Sequence, residues 1–159
     1  LNPRLKPKGQ AEFLSKQKAV IISEKHGGEA VIILGVDTVI DFQGETLGKP
    51  KTEADAKHTL GRMSCAMHTA ITAFTLIDMQ TKRSVTKSVE TKVYMRRISK
   101  KEIDSYVRSG EAMDHAGSYA IQGKGGLFVE RIDGDFYNVV GLPLTALTEE
   151  LKRFGITLF

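Results

Sequence analysis

One cysteine, no tryptophan, four prolines and four histidines in 159 residues remove several classes of protein at once. Cys65 alone can form neither an intrachain disulfide nor a cysteine-based zinc cluster, which fits a reducing compartment. The histidines at 26, 58, 68 and 115 are scattered and include no His-x-x-x-His pair, so a histidine metal site is not expected. His68 reads instead as a structural hydrogen-bonding group at the start of a strand. No apolar run approaches the roughly 20 residues that span a membrane. The opening Leu1-Asn-Pro-Arg-Leu-Lys-Pro-Lys8 lacks the apolar core of a signal peptide, so the expectation is a cytoplasmic protein without membrane contact. The net charge of +4 comes from dispersed lysines and arginines and suits anionic ligands without marking a nucleic-acid surface. Arg96-Arg97 with Lys100-Lys101, the densest basic patch, reads as a solvated helix start. Asp133-Gly-Asp135 is too short for a calcium loop, and no serine has a histidine–acid arrangement around it.

A hydrophobic content of 41% and a charged content of 26% are ordinary for a globular chain, so residues 1–159 are read as one domain. The pattern predicts a helix from Gln10 to about Lys25, with Ala11, Leu14, Lys18, Ile21 and Ile22 on its apolar stripe. Lys18 on that stripe either snorkels to solvent or aims its ammonium into a site. His26-Gly27-Gly28 ends the helix. Val31 to Ile40 is a continuous β-branched run, the pattern of a strand buried on both faces. Thr52-x-x-Asp55 and Ser99-x-x-Glu102 are capping boxes for two further helices, whose buried faces are Ala56, Leu60 and Met63, and Ile103, Tyr106 and Val107. Met67–Ile77 and Ser84–Met95 alternate as a long antiparallel hairpin around a turn at Asp78. Residues 111–126 carry no periodicity. Leu127–Ile132 is a strand, and Pro143 opens a last helix with Leu144, Leu147, Leu151 and Phe154 on its face.

Asp37 and Thr38 interrupt the Val31–Ile40 run, and an ionised carboxylate there needs a partner. The segment Asp41-Phe-Gln-Gly44-Glu45 is a tight connection that can fold Gly48-Lys49-Pro50 back towards Asp37, which makes Lys49 the candidate partner. The trio of Asp37, Thr38 and Lys49 suits a polyphosphate, a divalent ion and an activated water. It suits a buried ion pair as well. The glycine-dense stretch Gly117 to Gly126 can cradle phosphates through its N–H groups, or it is a surface loop.

Several spans taken together resemble the Maf family of nucleoside triphosphate pyrophosphatases. They are Lys18-Ala19, Asp37-Thr38-Val39, Leu47-Gly48-Lys49-Pro50, Ser64-x-x-x-His68-x-x-x-Thr72, Ile103-x-x-Tyr106-x-x-Ser109-Gly110-Glu111, Ala116-Gly117-x-Tyr119-x-Ile121-Gln122-Gly123 and Asn138-Val139-Val140-Gly141-Leu142-Pro143-Leu144. The resemblance implies an α/β fold with a mixed, elongated sheet flanked by helices, as in inosine triphosphate pyrophosphatase, with Asp37 on a central strand. It implies hydrolysis of dTTP or UTP to the monophosphate and pyrophosphate by a homodimer using a divalent cation, Mg2+ or Mn2+. In its terms Asp37 is the proton acceptor and metal ligand, and Lys18 and Lys49 bind phosphate. Thr38 and Gln122 choose the base, and Gly123 joins them in the substrate site.

The family's amino-terminal Ser-x-Ser-Pro-Arg-Arg loop has no counterpart here, since Asn2-Pro3-Arg4 is not that loop. The domain is therefore expected to be amino-terminally incomplete. His115 stands where a lysine is common, and Cys65 where a glycine is usual. A non-catalytic nucleotide-binding regulator linked to division arrest is the alternative to the enzyme.

Overall fold

The computed structural model describes residues 5–27 and 29–158, so Asn2-Pro3-Arg4 and Gly28 lie outside the described residues. The first helix, α1, runs Pro7–Ser23, with proline at its first turn, where its missing N–H costs nothing. Its buried residues are Pro7, Gln10, Ala11, Ser15 and Ala19, not the large apolar ones the stripe predicts. Leu14 is only half-buried, and Ile21 is 55% exposed. The reason lies across the interface, in strand β1 (Ile32–Phe42). A Cβ placed on Gly35 would lie 2.6 Å from the amide nitrogen of Ala19 and would collide with the carbonyl of Ser15. Helix and strand meet nearly backbone to backbone, and only small side chains fit the seam. The Ser15 hydroxyl is satisfied there by Thr75 Oγ1 at 3.0 Å.

Strand β1 turns through Gln43 and Gly44, both at positive φ, into the short β2 (Glu45–Leu47). That backbone matches the right-handed twist of a tight hairpin. The Gly44 amide caps Asp41 Oδ1 at 2.8 Å. Helix α2 (Glu53–Met63) follows, opened by the Thr52–Asp55 capping box. The long hairpin is present as β3 (Met67–Asp78) and β4 (Ser84–Met95), in register from Met67 opposite Tyr94 to Ile77 opposite Ser84. At about 3.4 Å per residue these strands are roughly 40 Å long, which makes the sheet elongated. Helix α3 (Lys100–Arg108) carries the second capping box. Tight 3-10 turns then lead to β5 (Val129–Asp133). Leu127 belongs to the last of those turns rather than to the strand. A short helix α4 (Phe136–Val140) precedes α5 (Leu144–Arg153), of whose predicted face Leu147 is buried while Leu144 is exposed.

The sheet order is β2-β1-β3-β4-β5. The α/β class with flanking helices is as expected, and β1 lies inside the sheet. The strands are not mixed in direction, however: every pairing is antiparallel. The hairpins β1–β2 and β3–β4 can only pair that way, and α2 brings β3 back in the direction of β2, hence opposite to β1. Alternation along β1 and β3 sends Val39, Ile71 and Ala73 towards α1 and Ile40 and Ala70 into the larger core with α2 and α3. Strand β1 is not buried on both faces throughout, since Leu34 is exposed.

His68 behaves as a structural residue. It is 1% exposed, and its Nε2 lies 2.9 Å from the Tyr119 hydroxyl. Burial pushes the imidazole down to about 4 from an ordinary 6.5. Above pH 6.5 the ring is neutral in folded and unfolded chains alike. Between 6.5 and about 4 only the unfolded chain takes the proton, so stability falls with pH across that window and levels off below it. The loss amounts to about 3 kcal/mol. Denaturant titrations from pH 7 to pH 4 should show that slope in the parent and a shallower one in His68→Gln; equal slopes would mean that the ring is not buried neutral.

Candidate active site

The ladder between β1 and β2 begins at Ile40 opposite Leu47 and covers only Ile40–Phe42. Along Ile32–Val39 that edge of β1 has no strand neighbour among the described residues. Beside the free edge lies a cleft of about 580 Å³. Because side chains alternate, the cleft receives Asp37 from the α1 side of the sheet and Thr38 from the opposite side. The hairpin turns Gly48 and Lys49 back to line the same space, and the segment after α3 adds Asp114, His115, Ala120, Ile121 and Gln122. Val139 and Val140 form part of an apolar wall.

The cation on Asp37 is Lys18. Its ammonium donates to Asp37 Oδ1 at 2.7 Å and to the Val36 carbonyl at 2.8 Å. Lys18 is therefore aimed into the site, one residue before the Ala19 that rests on Gly35. The expected Asp37–Lys49 pair is not formed: Lys49 is exposed in the cleft and makes no ion pair among the described residues. Gly48 and Lys49 follow the short β2, whereas Lys18 comes from α1, which packs directly on β1. Asp37 Oδ2 makes no hydrogen bond among the described residues.

Gln122 is exposed and lines the cleft; Gly123 does not line it. A Cβ on Gly123 would lie 2.6 Å from the carboxyl carbon of Glu111. That carboxylate accepts from Gly125 N–H at 3.0 Å, Lys124 N–H at 3.2 Å and the Tyr106 hydroxyl at 3.0 Å. Partial burial draws its pKa upwards, but those hydrogen bonds outweigh it and hold the group below the usual range. The glycine-dense loop thus spends two of its N–H groups on an anion of the protein itself. Its glycines allow the chain to wrap Glu111 rather than a phosphate.

Thr38 sits at the head of a buried polar chain that sequence reasoning missed. Its hydroxyl lies 2.9 Å from that of Thr72, which in turn bonds to the Asn138 carbonyl at 2.8 Å. Beyond its place in the Asn138–Leu144 run, Asn138 was legible as an amide inside the apolar run Phe136–Val140, a group that must find partners once buried. Asp114 and Thr46 had no sequence signal, and Val139 and Val140 had only their place in the Asn138–Leu144 run that carries the resemblance.

Among the described residues no three His, Cys, Asp or Glu side chains cluster to hold a metal. A magnesium-like ion does not need such a cage, since it commonly takes one or two carboxylates and completes its shell with water and substrate phosphates. The free Oδ2 of Asp37 fits that mode.

Fold and cleft define an α/β protein whose cleft is lined by two lysines, a carboxylate, a glutamine amide and apolar side chains. Residues 2–154 match the family of Maf-like proteins, and the chain belongs to that family. It is 47% identical over 127 residues to the dTTP/UTP pyrophosphatase of Dictyoglomus turgidum, covering 80% of this chain and 66% of that protein. Identity to the proteins of the same name is 40% over 157 residues in Methanosarcina barkeri and 46% over 146 residues in Methanococcoides burtonii. Those matches cover 99% and 92% of this chain and 79% and 73% of the relatives.

The Lys18 side chain is 55% exposed, so solvent screens its pair with Asp37. Lys18→Ala should change unfolding free energy by less than about 1 kcal/mol. The same substitution should weaken binding of a triphosphate measured by titration calorimetry. A large stability loss with unchanged binding would make the pair a structural one.

Proposed function

We propose that this chain hydrolyses dTTP and UTP to the nucleoside monophosphate and pyrophosphate. The observation that carries the reading is Asp37, held on one oxygen by Lys18 and, among the described residues, free on the other, in a cleft beside the open edge of β1 that Lys49 also lines. The relatives named dTTP/UTP pyrophosphatase support the substrate class.

A triphosphate lies along the cationic end of the cleft, with Lys49 against its oxygens. Asp37 Oδ2 takes a proton from a water whose oxygen attacks the α-phosphorus. The bond from that phosphorus to the bridging oxygen breaks, and pyrophosphate leaves with the electron pair. Lys18 keeps the Asp37 carboxylate oriented by its two hydrogen bonds, and the lysines offset charge growing on the phosphoryl oxygens. Asp37 is also the residue that would hold a divalent cation, Mg2+ or Mn2+, which when bound would supply further positive charge to the phosphates. An ionised carboxylate has about four acceptor positions, enough for Lys18 and these partners.

At the other end Gln122 gives and takes hydrogen bonds, as the imide edge of uracil or thymine demands, while Val139 and Val140 face the ring. Gly123 serves that end indirectly, by seating the loop on Glu111. His115 lines the cleft as well, where a lysine is common in the family. A cytoplasmic homodimer acting on free nucleotides, not nucleic acid or membranes, completes the reading. The exposed thiol of Cys65 is consistent with a reducing compartment.

Release of pyrophosphate should be followed for UTP, dTTP, CTP, GTP and ATP with Mg2+ or Mn2+ present. Turnover of UTP and dTTP ahead of the others is expected; no release from any of them sinks the proposal. Asp37→Asn should lower kcat by about 10²–10⁴-fold with a much smaller effect on nucleotide affinity. Full turnover in that variant would exclude Asp37 as the proton acceptor.

A further inference from the structure

Thr72 is wholly buried and Asn138 equally so, yet neither lines the cleft. Every polar atom around them can be accounted for. The Asn138 amide donates to the Ala70 carbonyl at 3.0 Å and to Thr91 Oγ1 at 2.9 Å, and its Oδ1 accepts from the Thr72 N–H at 3.2 Å. Thr91 donates to the Asp135 carbonyl at 3.1 Å and accepts from the Asp135 N–H at 3.1 Å. With both amide hydrogens of Asn138 committed, its orientation has no alternative.

The direction of the remaining bonds follows. A carbonyl can only accept, so across the 2.8 Å between Thr72 Oγ1 and the Asn138 carbonyl the hydrogen must be that of Thr72. Without it, two oxygens would face each other lone pair to lone pair in a buried site. A hydroxyl has one hydrogen. Across the 2.9 Å between Thr38 and Thr72, therefore, Thr38 is the donor and Thr72 the acceptor. The hydrogen of Thr38 is spent inside the protein, so where Thr38 lines the cleft its hydroxyl has only lone pairs to offer.

We propose that Thr72 and Asn138 are positioning residues for base choice: they hold the Thr38 hydroxyl as an acceptor and so favour a ring that presents an N–H over one that presents a bare ring nitrogen. The inference rests on the proposed nucleotide reading of the cleft. Uracil and thymine carry N–H at ring position 3, where cytosine carries a lone pair. Cytosine at that place meets Thr38 oxygen to nitrogen with no hydrogen between them. Guanine also offers a ring N–H, so this relay separates uracil from cytosine and leaves purines to the shape of the site.

The test uses the parent chain, Thr72→Val and Thr72→Ser, with kcat and KM measured separately for UTP and CTP. Valine keeps the shape and removes the acceptor, so the Thr38 hydroxyl is released to donate into the cleft. The UTP-over-CTP preference should fall by about tenfold or more, mainly through a higher KM for UTP and a lower one for CTP. Serine restores the hydroxyl and should retain the preference. A valine variant that keeps the preference to within about twofold overturns the relay, as does a serine variant that loses it equally.

If the valine variant does not fold, Thr72→Cys, whose thiol is a weak hydrogen-bond partner, replaces it under the same criteria. If the parent releases no pyrophosphate from any triphosphate, the catalytic reading fails and the relay is judged by titration calorimetry with UMP and CMP. A UMP preference shared by the parent and the serine variant, and lost in the valine variant, supports the relay. No preference in the parent overturns it.

Discussion

Helix α1 and strand β1 approach so closely at Gly35 that a side chain there would run into the helix backbone. Much of the site follows from that constraint. The seam admits Ala11, Ser15 and Ala19 and turns Phe13, Ile21 and Ile22 outwards. With the helix seated so low on the strand, Lys18 reaches both Asp37 and the Val36 carbonyl. A bulkier seam would lift the helix and carry the ammonium away from both. The charge pair is half solvated, so it contributes little to stability and is better understood as an arrangement of groups than as a brace.

The second determinant is where β2 stops. By pairing with only Ile40–Phe42 it leaves the preceding stretch of β1 as an edge, and the cleft takes side chains from both faces of one strand. Asp37 and Thr38 are neighbours in the chain, yet they lie on opposite faces of the strand: the first meets Lys18 beneath α1, and the second meets the buried hydroxyl of Thr72. A strand paired along its full length would have kept those two faces in separate layers. The loop on Glu111 closes the arrangement by placing Gln122 at the cleft and spending the Lys124 and Gly125 N–H groups on that carboxylate.

Much of the chain could be read in advance where the signal was local. Both capping boxes, the buried faces of α2 and α3 and the long hairpin formed as the periodicity implied, because each depends on residues a few positions apart. Lys18, Asp37, Thr38, Lys49 and Gln122 do line one cleft. The misreadings share a cause. The stripe on α1 was inferred from hydrophobicity, but closeness of approach governed that face. The fold-back after Asp41–Glu45 suggests Lys49 as the partner of Asp37, but the ammonium that closes on it comes from a helix 19 positions upstream.

The sequence by itself determined which elements form and which charged and polar groups are available, since propensity, capping and alternation are short-range properties. Only the tertiary structure decided that Lys18 rather than Lys49 closes on Asp37, that the glycine loop wraps Glu111, and that Thr38 faces the cleft as an acceptor. Each of these depends on the separation of backbones far apart in the chain, or on how a single hydrogen is shared along Thr38, Thr72 and Asn138. Such distances and directions are set by packing across the sheet, and no run of neighbouring residues encodes them.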